Sequence, residues 1–213
     1  VVRTSISGYG VKGPQGGLPG YDFLMQAESG LMKITGEVNG EPMKLGVAIV
    51  DIVTGLNAVI SVLSGLLLNK KLKNKNILTE VNLYNSGIFL LANVASNTLV
   101  SNKDAERYAN GHPNIVPYNL FKSKNGELAI SVGNDNQFKV FTKLLKKPEW
   151  ALDERFAKNA DRVKNRTLIE KMINKELSKK NRSYWYNLFL KNNIPSAIVR
   201  GVKEALNHSQ TKD

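Results

Sequence analysis

An almost uninterrupted apolar run at residues 46–68 constrains this chain more than any other feature, and its one charged residue is Asp51. Residues 46–50 (GVAIV) are rich in β-branched side chains and follow a glycine, which predicts a short buried strand. A helix is predicted next, because aliphatic side chains recur at helical spacing at Ile52, Leu56, Val59, Ile60, Leu63, Leu66 and Leu67. Asp51 would then lie in the first helical turn, where free backbone N–H groups and the helix dipole favour an anion.

A carboxylate in such a setting needs a reason, because burying an unpaired charge costs much free energy. Capping the helix is the commonest duty of an aspartate at this position. The run is also long enough to span a bilayer, which takes roughly 20 apolar residues. Against a span, a narrow polar stripe and three glycines suit packing against protein: Asp51, Thr54, Asn57, Ser61, Ser64, Gly46, Gly55 and Gly65. The residues alone leave capping and chemistry both open.

Composition excludes several kinds of site. The 213 residues contain no cysteine, so disulfides, thiolate metal sites and cysteine nucleophiles are excluded, and only His112 and His208 could be imidazole ligands. No metal site is expected. The net charge of +12 is local: residues 139–213 hold eighteen basic and eight acidic side chains, whereas residues 1–50 hold four of each. These lysines lie in amphipathic segments without interleaved aromatic residues, so we expect a solvated basic face and no nucleic-acid partner.

The first half predicts alternating strands and helices. Residues 1–6 are a predicted strand, and residues 7–20 a glycine-rich turn region that matches neither a P-loop nor a dinucleotide fingerprint. A helix is expected at 21–29, ended by Gly30. After the long helix we expect a basic turn at 70–76, a short strand at 78–81 and a helix at 83–99.

The second half predicts a separate small α/β unit. A hairpin is expected from residues 115–121 and 127–132, around the turn at 124–126. Helices are expected at 134–145, 160–179 and 184–191, which gives two strands and three helices. A polar break at 101–113 separates the halves.

The N-terminal residues VVRTSISGYG contain no initiator methionine and no visible targeting signal. They look like a strand whose first residues are missing, so we expect the chain to be an internal fragment of a longer protein. We expect the protein to be cytoplasmic, or mitochondrial if it is eukaryotic, and not bound to a membrane.

Many short motifs, in order along both halves, resemble the family III CoA-transferases (the CaiB/BaiF family), and within that family the dicarboxylate-type members. In the first half the motifs are residues 5–10 (SISGYG), 13–14 (GP), 19–22 (PGYD), 26–27 (QA), 29–32 (SGLM), 35–37 (TGE), 46–48 (GVA), Asp51 and 54–56 (TGL). In the second half they are residues 111–112 (GH), 116–118 (VPY), Phe121, 133–135 (GND), 137–138 (QF), 155–156 (RF), Asn159, 162–163 (RV) and 165–166 (NR).

The resemblance implies an α/β fold: part of a Rossmann-like large domain, plus a small α/β domain. Residues 1–82 would belong to the large domain, which binds CoA and carries the catalytic aspartate. Residues 83–107 would be a linker helix, and residues 108–213 the small domain with the start of a return linker. Members of the family form interlaced homodimers and run to about twice this length, so the chain would be incomplete for activity on its own.

The resemblance also implies a mechanism and a site. Asp51 falls on the family's catalytic aspartate, which forms a covalent aspartyl intermediate while CoA moves from an acyl-CoA donor to a small carboxylate or dicarboxylate acceptor. CoA thioesters would be substrates, and no permanently bound cofactor is expected. Contacts to substrate or CoA are expected from Gly8, Tyr9, Gly10, Tyr21, Gln26, Gly111 and His112.

Two other functions remain as alternatives. The family's racemase branch carries a histidine where this chain has Tyr21, and a tyrosine hydroxyl is a poor proton acceptor at neutral pH, which favours transfer over isomerisation. A non-enzymatic basic binding module would rest on the charge of the last third.

Overall fold

The computed structural model describes residues 1–71 and 75–212, and the chain divides into two compact units, Val1–Ala109 and Asn110–Asp213. The predicted basic turn at 70–76 includes residues 72–74, which lie outside the described residues. The strands predicted at 1–6 and 115–121 belong to different sheets, one in each unit.

The first unit is built on two parallel strands joined by a helical crossover. Strand β1 (Val2–Ser7) pairs with β2 (Ile77–Asn82), from Val2 opposite Ile77 to Ser7 opposite Asn82. Between them lie α1 (Asp22–Glu28), α2 (Leu31–Ile34) and the 23-residue α3 (Ile49–Lys71). Parallel strands need such a long crossover, and it is the unit expected of a Rossmann-like domain. The α/β fold class is confirmed, as are the strands and the helix predicted at 1–6, 78–81 and 21–29.

Helix α3 packs through its small and polar residues. The strand predicted at 46–50 is wrong, because the helix already begins at Ile49. The residues that α3 buries are Val50, Thr54, Ala58 and Gly65. At Gly65, an added Cβ would come within 2.7 Å of Val2 Cγ1, so glycine allows the helix to approach β1 closely.

The large aliphatic side chains of α3 are exposed instead. Ile52, Leu56, Ile60 and Leu63 are each more than half exposed, at 51%, 59%, 60% and 55%. Among the described residues, α3 is the one helix long and apolar enough to cross a membrane by length and composition. It nevertheless contacts β1, β2, α1 and another helix of the same unit, as a helix of a packed α/β layer does.

The helix predicted at 83–99 is two helices, α4 (Leu83–Leu90) and α5 (Ala92–Ser101). The helix is interrupted at Ala92, whose φ of 47° lies in the left-handed region. Helix α4 belongs to the buried cluster of the first unit, in which Leu83 packs with Met25, Leu31 and Val50.

The second unit has a three-stranded antiparallel sheet in the order β3 (Tyr118–Ser123), β4 (Gly126–Ser131), β5 (Ser196–Ile198). Between β4 and β5 lie α6 (Asp135–Leu144), a 3₁₀ turn (Pro148–Ala151), α7 (Asn159–Lys164), α8 (Arg166–Leu177) and α9 (Arg182–Lys191). Two short helices follow, α10 (Val202–Leu206) and α11 (Ser209–Lys212). The predicted hairpin is confirmed, β5 was not predicted, and the helix expected at 160–179 is divided at Asn165.

A buried guanidinium organises the core of the second unit. Arg162 is fully buried; its Nε donates to Val116 O at 2.6 Å, one Nη to Phe156 O at 2.8 Å and the other to Asp135 Oδ1 at 2.9 Å. Its guanidinium carbon also lies 4.2 Å from the centroid of the Phe138 ring. Burial lowers the pKa of Arg162, and the hydrogen bond to Asp135 opposes that shift. Arg162 therefore joins three separate segments of the unit.

Candidate functional site

Asp51 is the third residue of α3, in the first turn as the sequence predicts. The residue is exposed, and so the expectation of a buried charge is wrong. Asp51 lies next to the buried residues Val50 and Thr54, at the edge of the packed side of α3 and not within it. Within residues 1–71 and 75–212, the carboxylate of Asp51 accepts no hydrogen bond from a protein group. An exposed carboxylate without protein donors is open to react.

The cap of α3 comes from another helix. Ala48, whose carbonyl accepts the first helical hydrogen bond from Ile52 N at 3.1 Å, has no side-chain acceptor. Asp22, the first residue of α1, supplies it: its Oδ1 accepts from Val50 N at 2.7 Å and from Asp51 N at 3.3 Å. The capping role considered for Asp51 is therefore filled by Asp22.

Asp22 is held in turn by Gln26. Gln26 Nε2 donates to Asp22 Oδ2 at 2.6 Å, and its Oε1 accepts from Leu45 N at 2.8 Å. Gln26 is fully buried, and Nε2 also lies 3.5 Å from Val47 O. Its amide thus ties α1 to the segment that leads into α3. The expected contact between Gln26 and substrate stays a prediction beside this structural role.

The charge of Asp22 acts on Asp51. The pKa of Asp51 is raised above its ordinary value, first by desolvation and then by the negative charge of Asp22. Both causes disfavour the ionised form of Asp51. A carboxylate with a raised pKa is a stronger base when it is ionised.

The glycine-rich segment before α1 is closed on itself. An added Cβ on Gly8 would come within 2.6 Å of Gly20 N, so the two ends of the loop meet backbone to backbone. Gly10 has a φ of +89°, and its N–H donates to Ser7 Oγ at 3.0 Å. The neighbouring Val11 N donates to Glu80 Oε1 at 2.8 Å. Gly8 and Gly10 thus fix the loop that leads into Tyr21 and Asp22.

The two tyrosines of the expected site have different surroundings. Tyr9 packs against the buried cluster, its ring centroid 5.8 Å from that of Tyr84. Desolvation raises the pKa of Tyr9, with smaller contributions from Glu28 and Tyr84. Tyr21 is 74% exposed, directly before α1 and next to Asp22. Of the two, Tyr21 presents the more accessible side chain.

Gly111 and His112 belong to the second unit, in the loop that precedes β3. His112 N donates to Tyr118 O at 3.1 Å, and His112 Nδ1 accepts from Asn114 N at 3.1 Å. The His112 and Tyr118 ring centroids lie 5.2 Å apart. The imidazole thus closes a local turn, and a contact with substrate stays a prediction.

Arg166 holds this loop in place. One of its Nη atoms donates to His112 O at 2.7 Å and to Pro113 O at 2.9 Å. Asn159 supports the same loop, since its Nδ2 donates to Asn114 O at 2.8 Å. The loop borders a groove of about 580 Å³ on the open face of the β3–β4–β5 sheet, which Asn110, Tyr118, Leu120, Ala129 and Ala197 help to line.

In the part of the chain that the structure describes, no group of three or more His, Cys, Asp or Glu side chains could hold a metal ion.

The model of CoA-transferase family III matches this chain over residues 1–213. The chain belongs to CoA-transferase family III. It is 37% identical over 210 residues to a mouse protein named succinyl-CoA:glutarate CoA-transferase, covering 99% of the chain. It is 34% identical over 204 residues to an Agrobacterium fabrum protein named succinate–glutarate CoA-transferase, covering 96% of the chain.

The fold of the chain also matches that of the family. A CaiB/BaiF family protein from Brucella suis superimposes with a TM-score of 0.80 at 36% identity, covering 100% of this chain and 56% of that one. The chain spans about half the length of the curated relatives it matches, 48% of the mouse protein and 51% of the bacterial one. Family membership confirms the resemblance drawn from the motifs and argues against a non-enzymatic basic module.

Two residues with clear structural roles, one in each unit, were not singled out from the sequence. Asp22 and Arg166 both lie in motifs that carried the resemblance, yet neither was given a function. Asp22 had one detectable signal: the predicted helix is preceded by Ala48, which cannot cap it, so a cap from elsewhere was needed. For the role of Arg166 in holding the loop there was none, because the two carbonyls that it binds, His112 O and Pro113 O, lie more than fifty residues away in sequence.

Proposed function

We propose that this chain is the nucleophile-bearing part of an enzyme that moves coenzyme A between an acyl-CoA donor and a small dicarboxylate acceptor. One observation carries the proposal: in a family III chain, Asp51 presents an exposed carboxylate at the start of α3 while Asp22 does the capping. A carboxylate freed from a structural duty and made more basic is suited to nucleophilic attack.

The proposed chemistry begins with acylation of Asp51. A carboxylate oxygen bonds to the thioester carbonyl carbon, the C–S bond breaks, and CoA leaves as a thiolate with the electron pair of that bond. The product is a mixed anhydride. The thiolate then attacks the aspartyl carbonyl carbon and releases the donor carboxylate, which leaves an aspartyl-CoA thioester on Asp51.

The acceptor reverses these steps. Its carboxylate attacks the aspartyl thioester and displaces the thiolate, and the thiolate then attacks the acceptor's acyl carbon. A new acyl-CoA forms, and Asp51 returns to its ionised state. Each step exchanges one activated acyl group for another, so the reaction needs no metal, nucleotide or redox cofactor, and CoA enters only as a substrate.

The dicarboxylate class is supported by the relatives. The mouse and Agrobacterium proteins carry names with succinate and glutarate, four- and five-carbon dicarboxylates, and the chain matches both over nearly its whole length. We propose that Gly8, Tyr9, Gly10, Tyr21, Gly111 and His112 contribute contacts to CoA or to these acids. Tyr21 has the required accessibility.

We also propose that the whole protein is an interlaced homodimer. The support is the exposed aliphatic face of α3, together with Leu78 of β2, which is 76% exposed. Soluble proteins rarely leave a contiguous apolar patch larger than a few hundred Å² uncovered, so such a face favours burial in the assembled protein.

The test is CoA transfer by the whole protein, followed by mass spectrometry. The protein is incubated with succinyl-CoA and with one acceptor at a time: glutarate, other dicarboxylates of three to six carbons, and monocarboxylates of matched length. We expect a new dicarboxyl-CoA and free succinate in equal amounts. Transfer to monocarboxylates alone would contradict the dicarboxylate class. Exchange of the α-proton in deuterium oxide without CoA transfer would contradict the reaction and identify an isomerase.

A further inference from the structure

We propose that Asp22 is a positioning residue for the Asp51 nucleophile, holding the first turn of α3 and placing a second negative charge beside the reacting carboxylate. This rests on the proposed function, and it assigns a role to a residue that does not itself react. Asp22 accepts three hydrogen bonds. Its Oδ1 accepts from Val50 N at 2.7 Å and from Asp51 N at 3.3 Å, and its Oδ2 accepts from Gln26 Nε2 at 2.6 Å.

The first consequence concerns geometry. The backbone of the nucleophile is itself a donor to Asp22, so movement of the Asp22 side chain would move Asp51. Asp22 begins α1 and is braced by the buried Gln26, which also binds Leu45 N at 2.8 Å. Asp51 is thereby fixed from α1 rather than by its own helix alone, and catalysis is sensitive to displacements of about 1 Å.

The second consequence concerns charge. In acylation, Asp51 oxygen bonds to the acyl carbon while the C–S bond breaks, so the negative charge of Asp51 passes to the departing CoA thiolate. The ionised Asp51 is repelled by Asp22, whereas the neutral anhydride and aspartyl thioester are not. Asp22 therefore favours the acylated forms over the resting carboxylate.

Several other charged residues lie near α3, but they do not account for the raised pKa of Asp51. Besides Asp22, the elements packed against α3 carry Arg3, Glu28 and Glu80, and the segment before α3 carries Glu37, Glu41 and Lys44. Desolvation is the larger cause of the raised pKa of Asp51, and among these charged groups it is Asp22 that adds to it.

The experiment separates charge from capping with two substitutions in the whole protein. Asp22→Asn keeps an oxygen that can accept from Val50 N and Asp51 N, but it removes the charge and also the Oδ2 acceptor of Gln26 Nε2. Asp22→Ala removes the charge and both oxygens. Asn134→Ala is the matched control, because Asn134 caps α6 through Gln137 N at 2.9 Å in the other unit. Folded protein isolated by gel filtration reacts with succinyl-CoA from pH 3 to pH 8, and each sample is then brought to one fixed pH near neutral for trapping with hydroxylamine. Acylation is measured as the rate of hydroxamate formation on the peptide that contains Asp51.

In wild type, labelling should rise with pH as Asp51 ionises. In Asp22→Asn the rise of the acylation rate with pH should begin at lower pH, because the repulsion from Asp22 that helps to raise the pKa of Asp51 is gone. Its plateau rate should also fall, since a less basic carboxylate is a weaker nucleophile. Asp22→Ala should lose about a hundredfold through misplacement of Asp51. Asn134→Ala should keep the wild-type rate and pH profile.

The outcomes distinguish the two proposals. Wild-type protein that carries label at another residue would overturn the proposed function itself. Wild-type labelling at Asp51, together with an unchanged pH profile and rate in Asp22→Asn, would overturn the role of Asp22 and leave the function standing.

Discussion

Replacing Asp51 with asparagine in the whole protein is expected to abolish CoA transfer, with turnover reduced by at least about a thousandfold. The amide oxygen cannot attack a thioester, and no other carboxylate lies in the first turn of α3. Transfer is measured by mass spectrometry with succinyl-CoA and the best acceptor. Asp104→Asn, which removes an exposed carboxylate elsewhere in the first unit, is the control and should retain activity.

The same substitution should not weaken the fold. The pKa of Asp51 is raised in the folded protein, so its ionised form disfavours folding. That unfavourable contribution is fully present above the folded-state pKa and disappears as the pH falls below the unfolded value of 3.8. Asp51→Asn should therefore be at least as stable as wild type at pH 7, and the difference should vanish at pH 3. A variant clearly less stable at pH 7 would mean that the carboxylate makes a stabilising contact.

Replacing Arg162 with methionine should destabilise the second unit by about 3 kcal/mol or more. Methionine fills much of the same volume but donates nothing, so the buried carbonyls of Val116 and Phe156 lose donors. Asp135 loses its nearer cation and keeps the exposed Lys158, at 3.9 Å. Urea unfolding can follow this unit directly in the 213-residue chain. Both of its tryptophans, Trp150 and Trp185, are buried in the core of the second unit.

Arg155→Met is the matched control. Arg155 also pairs with an aspartate, at 2.7 Å from Asp153 Oδ2, but its side chain is 58% exposed. Exposed ion pairs contribute little to stability, so its unfolding midpoint should stay close to that of wild type. Equal destabilisation by the two substitutions would contradict the importance assigned to burial of Arg162.

Elements with a local signal were predicted well. A helix was expected at 134–145, and Asn134 caps α6 by accepting from Gln137 N at 2.9 Å. The turn at 124–126 joins β3 and β4, and Gly30, with a φ of 90°, follows α1. In each case a residue with a distinct conformational or hydrogen-bonding preference marks the boundary.

The elements that were predicted wrongly are determined by contacts between residues far apart in the sequence. An apolar run such as residues 46–50 has the same pattern in a buried strand and in a helix, and here a cap from Asp22, 28 residues away, favours a helix that begins at Ile49. The break at Ala92 is marked by neither glycine nor proline. Strand β5 has three residues, and its pairing with β4 defines it more than its sequence does.

The site was predicted unevenly for the same reason. The family motifs singled out Asp51, and its place in the first turn of α3 is confirmed. The exposure of Asp51 and its separation from the capping role could not be read from the sequence, because both depend on how α1 lies against the start of α3.

Covalent trapping tests the central claim, that Asp51 is the nucleophile, most directly. The whole protein is mixed with succinyl-CoA, treated with hydroxylamine, digested and analysed by mass spectrometry. An anhydride or thioester at a carboxylate reacts with hydroxylamine, and a resting carboxylate does not. We expect a hydroxamate on Asp51, dependent on succinyl-CoA and absent from Asp51→Asn. A hydroxamate on another residue, or the same labelling in Asp51→Asn, would contradict the account.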